Sequence, residues 1–348
     1  MNKYLIVACC FLQLQLHAQS KRISFLHHIN TSRIDIGVDG KYFSSFVFSD
    51  SLEKPVLFPI HAANDAVITR GFPLNPREDE RIDHPHQAGL WFTYEDVNGI
   101  DFWNNSYAIP AERKSRYGWI RSVQVTQMKE GKREGRLSYT ANWERQDRRI
   151  LLEEHTSFIF SGTDKSRTIE RITTLTASND TVRFKDVKDG LLGIRVASEL
   201  EMPSDEVMEM TSERGSLTIA SPDPAVTSGS YLNSIGKAGD EVWGTRANWC
   251  RLTGTKDGSA VSITIMDHPK NPGYPGYWHA RGYGLFAQNP LGQHIFSNGK
   301  ETMNLTLAPG KSVTFRYRIL INNTKIPGAV ELNKLTDEFA TTNNHPYD

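Results

Sequence analysis

Short runs of β-prone residues follow one another along almost the whole chain of 348 residues, separated by glycine, asparagine, aspartate or proline. Such runs predict β-strands, because β-branched and aromatic side chains pack well on a pleated surface and the separating residues favour turns. The predicted strands are 22–26, 33–38, 42–48, 55–61, 67–72, 115–128, 136–145, 149–160, 168–175, 181–185, 192–196, 216–220, 247–253, 260–266, 284–287, 302–307 and 312–321. A single open sheet of this size would curl or split. We therefore predict an all-β fold: a large sandwich of two antiparallel sheets packed face to face.

Two polar turns support this pattern. KEGKREG separates the strands 115–128 and 136–145 and predicts a hairpin, and APGK joins the last two strands. The spacing of Val330, Leu332, Leu335 and Phe339 predicts one short helix over residues 330–340. No linker or repeat divides the chain, so residues 19–348 are predicted to form a single domain.

The first 18 residues have the features of a signal peptide. A basic start, an apolar stretch over residues 4–16 and Ala18 before Gln19 predict export to the periplasm or the medium. Ile6-Val7-Ala8-Cys9 resembles a lipoprotein box, so lipid attachment at Cys9 or Cys10 is an alternative. No later segment approaches the roughly 20 apolar residues of a membrane helix. Cleavage would leave Cys250 alone, which excludes a disulfide framework and a cysteine-based zinc site.

The charge balance narrows the classes of partner. Forty basic residues balance 40 acidic ones, so no overall field favours nucleic acid or an anionic membrane. We also find no Walker loop, Rossmann fingerprint or GxSxG elbow. Phosphate-driven chemistry and serine hydrolysis are therefore not expected.

The most informative stretch is 83–103, DHPHQAGLWFTYEDVNGIDFW. In an extended segment the side chains of His84 and His86 point to the same face, and Gly89 allows a close approach of backbone or ligand. A single histidine in an aromatic strand is usually a core residue. Two histidines with Trp91 nearby, and a second histidine-containing cluster later in the chain, favour a functional site.

The second cluster is 267–289, DHPKNPGYPGYWHARGYGLFAQN, which places His279 and Arg281 two residues apart in an aromatic loop. A third cluster, KDVKDGLLGIRV, contains Arg195 in an apolar run. A buried arginine needs a carboxylate, and Glu154, Asp186 or a ligand could supply it. The same argument applies to Arg246.

The three motifs DHPHQAGLWF, KDVKDGLLGIRVAS and DHPKNPGYPGYWHARGYGLFAQNPLG resemble the secreted bacterial proteins catalogued as PmoA-like, or "methane oxygenase". The resemblance spans most of residues 55–320, although His86-Gln87 stands where relatives often have two histidines. A membrane oxygenase needs several membrane helices, which this chain lacks. The resemblance therefore implies a scaffold similar to the galactose-mutarotase supersandwich, a fold that is common among carbohydrate enzymes.

An exported sandwich with aromatic, arginine and histidine side chains suits an oligosaccharide substrate, because rings stack on sugar faces and arginine binds carboxylates. Hydrolysis needs two carboxylates, whereas these clusters are richer in histidine and arginine. We predict a lyase or dehydratase that forms an unsaturated uronate by β-elimination during polysaccharide degradation. The predicted catalytic residues are His84, His86, His279, Arg195 and Arg281. The predicted substrate-binding residues are Trp91, Asp186, Asp189, Arg246, Asp267, His268, Tyr277, Trp278 and Asn289.

Two alternatives remain open. An aldose epimerase would use a histidine acid and a carboxylate base and would form no double bond. A non-catalytic glycan-binding protein would need the aromatic residues but not the histidines. No cofactor is predicted, although His84 and His86 with either His268 or His279 could hold a divalent zinc or copper ion.

Overall fold

The computed structural model describes residues 22–212, 217–223 and 225–342. The predicted signal peptide and the first residue of the predicted strand 216–220 lie outside these ranges. Within them, the chain forms 20 β-strands and two α-helices. The first ten strands are β1 (Ile23–His28), β2 (Arg33–Val38), β3 (Lys41–Val47), β4 (Val56–Ile60), β5 (Leu90–Tyr94), β6 (Trp119–Lys129), β7 (Glu134–Glu144), β8 (Ile150–Gly162), β9 (Ser166–Ala177) and β10 (Val182–Phe184). The others are β11 (Gly190–Arg195), β12 (Met208–Thr211), β13 (Leu217–Ala220), β14 (Ser230–Asn233), β15 (Trp249–Lys256), β16 (Ser259–Asp267), β17 (Tyr277–Ala280), β18 (Leu285–Asn289), β19 (Leu305–Leu307) and β20 (Ser312–Asn323). The helices are α1 (Gln293–Phe296) and α2 (Ala329–Ala340).

Two eight-stranded sheets dominate the described part of the chain. The first has the order β1-β2-β3-β4-β5-β11-β18-β17, and the second has the order β14-β15-β16-β20-β9-β8-β7-β6. Neighbouring strands pair antiparallel in both. The strands β12 and β13 form a small hairpin, and β10 pairs with β19. The predicted all-β fold with two large antiparallel sheets is confirmed.

The burial of each strand follows its position in the sheet. The central strand β16 is buried along most of its length, as its apolar sequence SAVSITIMD requires. The edge strand β6 alternates between buried or half-buried and exposed side chains, and most of its exposed positions carry polar residues such as Gln124, with Met128 as the exception. Polar residues on an edge strand discourage pairing with a second chain.

The main core lies between the two sheets. Phe92 of β5 contacts Trp143 of β7 and Phe315 of β20, with ring centroids 6.4 and 5.7 Å apart. On the outer face of the second sheet, α2 packs Leu332 and Phe339 against a separate buried cluster. The predicted helix is therefore present, although Val330 of its predicted apolar stripe is 85% exposed. No α-helix within the described ranges has the length and apolar composition needed to cross a membrane.

Some local predictions were wrong. The segment 67–72 forms only isolated bridges, one of them between Thr69 and Val196. Residues Ala111–Arg116 form a 3₁₀ helix instead of the start of a strand. The strands β19 and β20 are both present as predicted; β19 pairs with β10, since both edges of β20 are occupied by β9 and β16.

Candidate functional site

The outer face of the first sheet carries a row of side chains from four neighbouring strands. Trp91 lies opposite Gly193, Gly193 opposite Ala287, and Ala287 opposite His279. A Cβ atom at Gly193 would lie 2.6 Å from Cζ2 of Trp91, so glycine allows the indole ring to lie against the sheet. Because alternate residues of a strand face the same side, Arg195 shares this face. The sheet thus brings the second and third sequence clusters together.

The first cluster reaches this face through a turn. His84 has φ +47°, and its carbonyl accepts a hydrogen bond from the amide of Gln87 at 2.9 Å. The predicted extended geometry was therefore wrong, although the turn still places the rings of His84 and His86 5.6 Å apart. Gly89, with φ +58°, follows the turn, and a Cβ there would lie 2.3 Å from the carbonyl oxygen of Leu57. This close approach of two backbone segments confirms the role predicted for Gly89.

His84 is held on two sides. Its Nδ1 atom lies 3.2 Å from Oδ2 of Asp83, and its ring stacks on Tyr283 at 5.1 Å with an interplanar angle of 1°. The His84 side chain is 40% exposed. A carboxylate at Nδ1 fixes the orientation of the imidazole and leaves Nε2 available for proton transfer.

Two buried arginines anchor Asp83. Arg70 and Arg195 each donate to Oδ1 of Asp83 at 2.7 Å, and Arg195 also donates to Gln87 Oε1 at 2.6 Å. Burial raises the pKa of the Asp83 carboxyl, but His84, Arg195 and Arg70 outweigh it and bring that pKa well below 3.8. Burial and the charge of Arg195 lower the pKa of Arg70 to about 9.

The partner of Arg195 is thus Asp83, and neither Glu154 nor Asp186 fills that role. Glu154 instead accepts from Arg171 at 2.8 Å in the second sheet. Arg195 itself is 0% exposed. It is therefore placed to position Asp83 and, through it, His84, and it has no surface with which to touch a substrate.

Three titratable side chains, His279, Asp189 and Glu95, lie near His84 on this face, and we call the region that they form with His84 and Tyr283 the cleft. Nδ1 of His279 lies 3.5 Å from Oδ1 of Asp189, and the backbone N–H of Asp189 donates to Glu95 Oε2 at 3.3 Å. Burial, together with Lys188 and Arg281, lowers the pKa of His279 to about 3, so its ring is neutral near pH 7. Burial raises the pKa of Asp189, although Lys188 and His84 oppose the shift. Burial and the charge of Asp189 raise the pKa of Glu95 to about 7.

Arg281 and Lys188 supply positive charge at the rim. Both are exposed. Lys188 lies 3.7 Å from Asp189, whereas Arg281 has no acidic side chain at ion-pair distance within the described ranges and lies 5.9 Å above the ring of Tyr283. The cleft therefore combines proton-transfer groups with a cation that is free to bind an anion.

Several predicted substrate-binding residues lie outside the cleft with their polar groups engaged. Asp186 accepts from the amides of His294 and Met303, and Arg246 pairs with Glu301 at 2.5 Å. The remaining residues of this kind have these contacts within the protein: Asp267 accepts from the amide of Gly276, His268 packs on Phe339, Tyr277 stacks on Phe296, Trp278 donates to Ala247 in the core, and Asn289 donates to the carbonyls of Val187 and Lys188. Trp91 is buried and forms the floor.

Four cleft residues were missed by the sequence prediction: Asp83, Glu95, Lys188 and Tyr283. Asp83 stands directly before the HPH motif, and this position was its only signal. Glu95 lies in YEDVNG, which resembles an ordinary turn.

No group of three or more His, Cys, Asp or Glu side chains within the described ranges is arranged to hold a metal ion. His268 cannot join His84 and His86 in a metal site, because it packs on the outer face of the other sheet.

The fold is an antiparallel β-sandwich that carries a cluster of titratable side chains on the outer face of one sheet. Residues 33–337 match the model described as "Family of unknown function (DUF6807)", and the chain belongs to that family. The PmoA-like assignment remains a prediction. No curated protein matches the chain significantly in sequence.

Solved structures with some likeness to this chain include three that act on sugars or are named after such enzymes. The GH36 α-galactosidase AgaB of Geobacillus stearothermophilus has 7% identity and a TM-score of 0.35, over 86% of this chain and 41% of that one. This chain thus spans less than half the length of that enzyme. A galactose mutarotase-like protein of Clostridium acetobutylicum has 10% identity and a TM-score of 0.38, over 87% and 99%. A galactose mutarotase related enzyme of Lactobacillus acidophilus has 10% identity and a TM-score of 0.27, over 87% and 97%.

Proposed function

We propose that this protein is an exported carbohydrate-active enzyme that uses general acid–base catalysis, and that its reaction is β-elimination at a uronate in an oligosaccharide. One observation carries the proposal. The imidazole of His84, oriented by Asp83, shares a cleft with the His279–Asp189 pair and with the unpaired cation of Arg281. Proton-transfer groups and a free cation in one cleft are what this reaction requires.

The reaction needs a base at C5, a cation at the carboxylate and an acid at O4. Once the base removes the C5 proton, the electron pair of that bond forms the C4–C5 double bond. The C4–O4 bond then breaks, and its oxygen takes a proton from the acid. We assign proton transfer to His84, which is 40% exposed, and to the His279–Asp189 pair, in which Asp189 is 17% exposed and His279 only 4%. Arg281 replaces Arg195 as the group that offsets the substrate carboxylate, because Arg195 is buried and already paired.

Aldose epimerisation is the second candidate, and a specific observation favours it. Asp189 lies beside His279 and Glu95 lies beside Asp189, so two carboxylates are close together here, and the pKa of Glu95 is raised to about 7. A carboxylate that titrates near neutral pH is suited to act as the base in sugar ring opening, with a histidine as the acid. The sequence clusters are richer in histidine and arginine than in acids, but these two carboxylates form a pair.

The two candidates differ in their products, so one panel separates them. The protein would be incubated with uronate oligosaccharides and with matched neutral oligosaccharides. Elimination predicts absorbance from the conjugated double bond and two product fragments whose masses sum to that of the substrate. Epimerisation predicts a change in optical rotation of free aldoses with no absorbance change. Equal activity on neutral and uronate sugars, or no activity with retained binding, would contradict the elimination proposal.

A further inference from the structure

We propose that a pocket between Lys54 and His86 binds the carboxylate of a second sugar of the same oligosaccharide. The inference rests on the proposed function for its substrate class. If it holds, the substrate carries at least two acidic sugars, one in the cleft at His84 and one in this pocket.

The pocket lies beside the cleft and has room for more than a water molecule. Its volume is about 120 Å³, and its lining includes Leu52, Glu53, Lys54, Leu74, His86 and Tyr107. A cavity needs only about 10–15 Å³ of this kind of volume to hold one water. The leucines offer apolar surface to a sugar ring, and Tyr107, which is 66% exposed, provides an aromatic face.

Lys54 is a buried cation without an acidic partner. Its side chain is 5% exposed, and Nζ donates to the carbonyl of Trp103 at 3.1 Å and lies 5.7 Å from the centroid of the Trp91 ring. An ammonium group has three N–H donors, so two remain for a ligand. Among the described residues, no carboxylate lies within ion-pair distance of Nζ. Glu53 instead lies 3.6 Å from Lys114, and Asp101 accepts from the amide of Trp103.

A buried, unpaired ammonium group is costly, and such groups are usually compensated by a charge or a ligand. Burial lowers the pKa of Lys54 to about 8, so the group still carries its proton over most of the population at pH 7. Burial and the charge of Lys54 also keep the pKa of His86 well below 6.5, so His86 faces the pocket as a neutral ring. A carboxylate is the simplest ligand that satisfies this arrangement.

The position of the pocket suits a chain of acidic sugars. His86 lines the pocket, and its ring is 5.6 Å from that of His84 in the cleft. Arg281 lies 5.9 Å from the ring of Tyr283, which stacks on His84. One free cation thus lies near His84 and the other lines the pocket with His86, and each can take one carboxylate.

The test is isothermal titration calorimetry with D-glucuronate, carried out in an Arg281→Met background so that the cation of the cleft does not contribute. We expect Lys54→Met to weaken glucuronate binding about tenfold or more, whereas any affinity for D-glucose stays the same. Lys41→Met is the matched control, because Lys41 is an exposed lysine paired with Asp65 at 3.2 Å. Unchanged glucuronate affinity in Lys54→Met would overturn the proposal.

The pH dependence gives a second, independent readout. As pH rises from 7 to 9, Lys54 loses its proton, so glucuronate affinity should fall when Lys54 is present. It should stay level in Lys54→Arg, since arginine remains charged. Glu53, Asp101 and His86 also face Lys54. Because these groups are present in both proteins, a pH effect that they cause appears in both, whereas the effect of the Lys54 ammonium group is absent from Lys54→Arg. A fall of equal size in both proteins would contradict the proposal. The probe has no glycosidic bond at O4 and the test measures binding alone, so a failure of the proposed reaction leaves this test unaffected.

Discussion

Replacing Asp83 by asparagine should destabilise the protein, because the carboxylate compensates two buried guanidinium groups. Arg70 and Arg195 are 1% and 0% exposed, and each lies 2.7 Å from Oδ1 of Asp83. Removing one partner of a buried ion pair typically costs about 3–5 kcal/mol. Asp83 is itself 30% exposed, so solvent screens part of the interaction. We therefore expect Asp83→Asn to lower the free energy of unfolding by about 2–3 kcal/mol.

Guanidinium chloride unfolding, followed by tryptophan fluorescence, measures this change. With roughly 2.1 cal/mol/K of unfolding entropy per residue, the same loss lowers Tm by about 3–4 °C. The matched control is Asp39→Asn, because Asp39 pairs with Arg22 at 3.4 Å on the surface. An exposed pair of this kind contributes about 0–1 kcal/mol.

The sign of the pH dependence follows from the lowered pKa of Asp83. A carboxyl group whose pKa is lower in the folded state adds stability above its ordinary value of 3.8, and this stability is lost as pH falls below that value. The difference between wild type and Asp83→Asn should therefore be full at pH 7 and shrink below about pH 4. An Asp83→Asn variant as stable as Asp39→Asn at pH 7 would refute the reasoning.

Two further predictions concern stability and protonation. Glu95→Gln should be more stable than wild type at pH 8 by on the order of 1 kcal/mol after discounting for partial exposure, and about equally stable at pH 4, because the cost of ionising Glu95 begins above its ordinary pKa of 4.5 and grows until the folded pKa of about 7. Urea unfolding at both pH values checks this, and an equal difference at both would contradict it. Phe339→Ala should cost about 3–5 kcal/mol, because Phe339 is 1% exposed and packs on His268. A loss below about 1 kcal/mol in the same assay would show that α2 contributes little to folding.

The sheets were predictable from sequence because strand patterns are local. The long runs that became β8, β9 and β20 combine β-prone residues with clear turn signals, and tertiary packing did not override them. Short strands such as β14 and β17 were missed, since four residues carry too little pattern. The helix α2 was found because its apolar spacing matches one helical face.

The site was only partly predictable because its contacts are distant in sequence. Arg195 was correctly predicted to pair with a carboxylate. Its partner Asp83 lies 112 positions away in the sequence, and Glu154 and Asp186 were named instead. Trp278 and His279 are neighbours in sequence, yet Trp278 faces the core and His279 faces the cleft. Strand alternation explains this difference, and it could have separated them if β17 had been predicted.

The most direct test of the account compares turnover in His84→Ala and His28→Ala on the uronate oligosaccharide that gives the strongest double-bond signal. The two histidines are matched in exposure and in having an aspartate partner. His28 is 39% exposed and lies 2.9 Å from Asp35, whereas His84 is 40% exposed and lies 3.2 Å from Asp83. Loss of a general acid or base should reduce kcat by about 10²-fold or more in His84→Ala, with His28→Ala unchanged. Equal turnover in the two variants would contradict the assignment of His84 as the residue that transfers the proton.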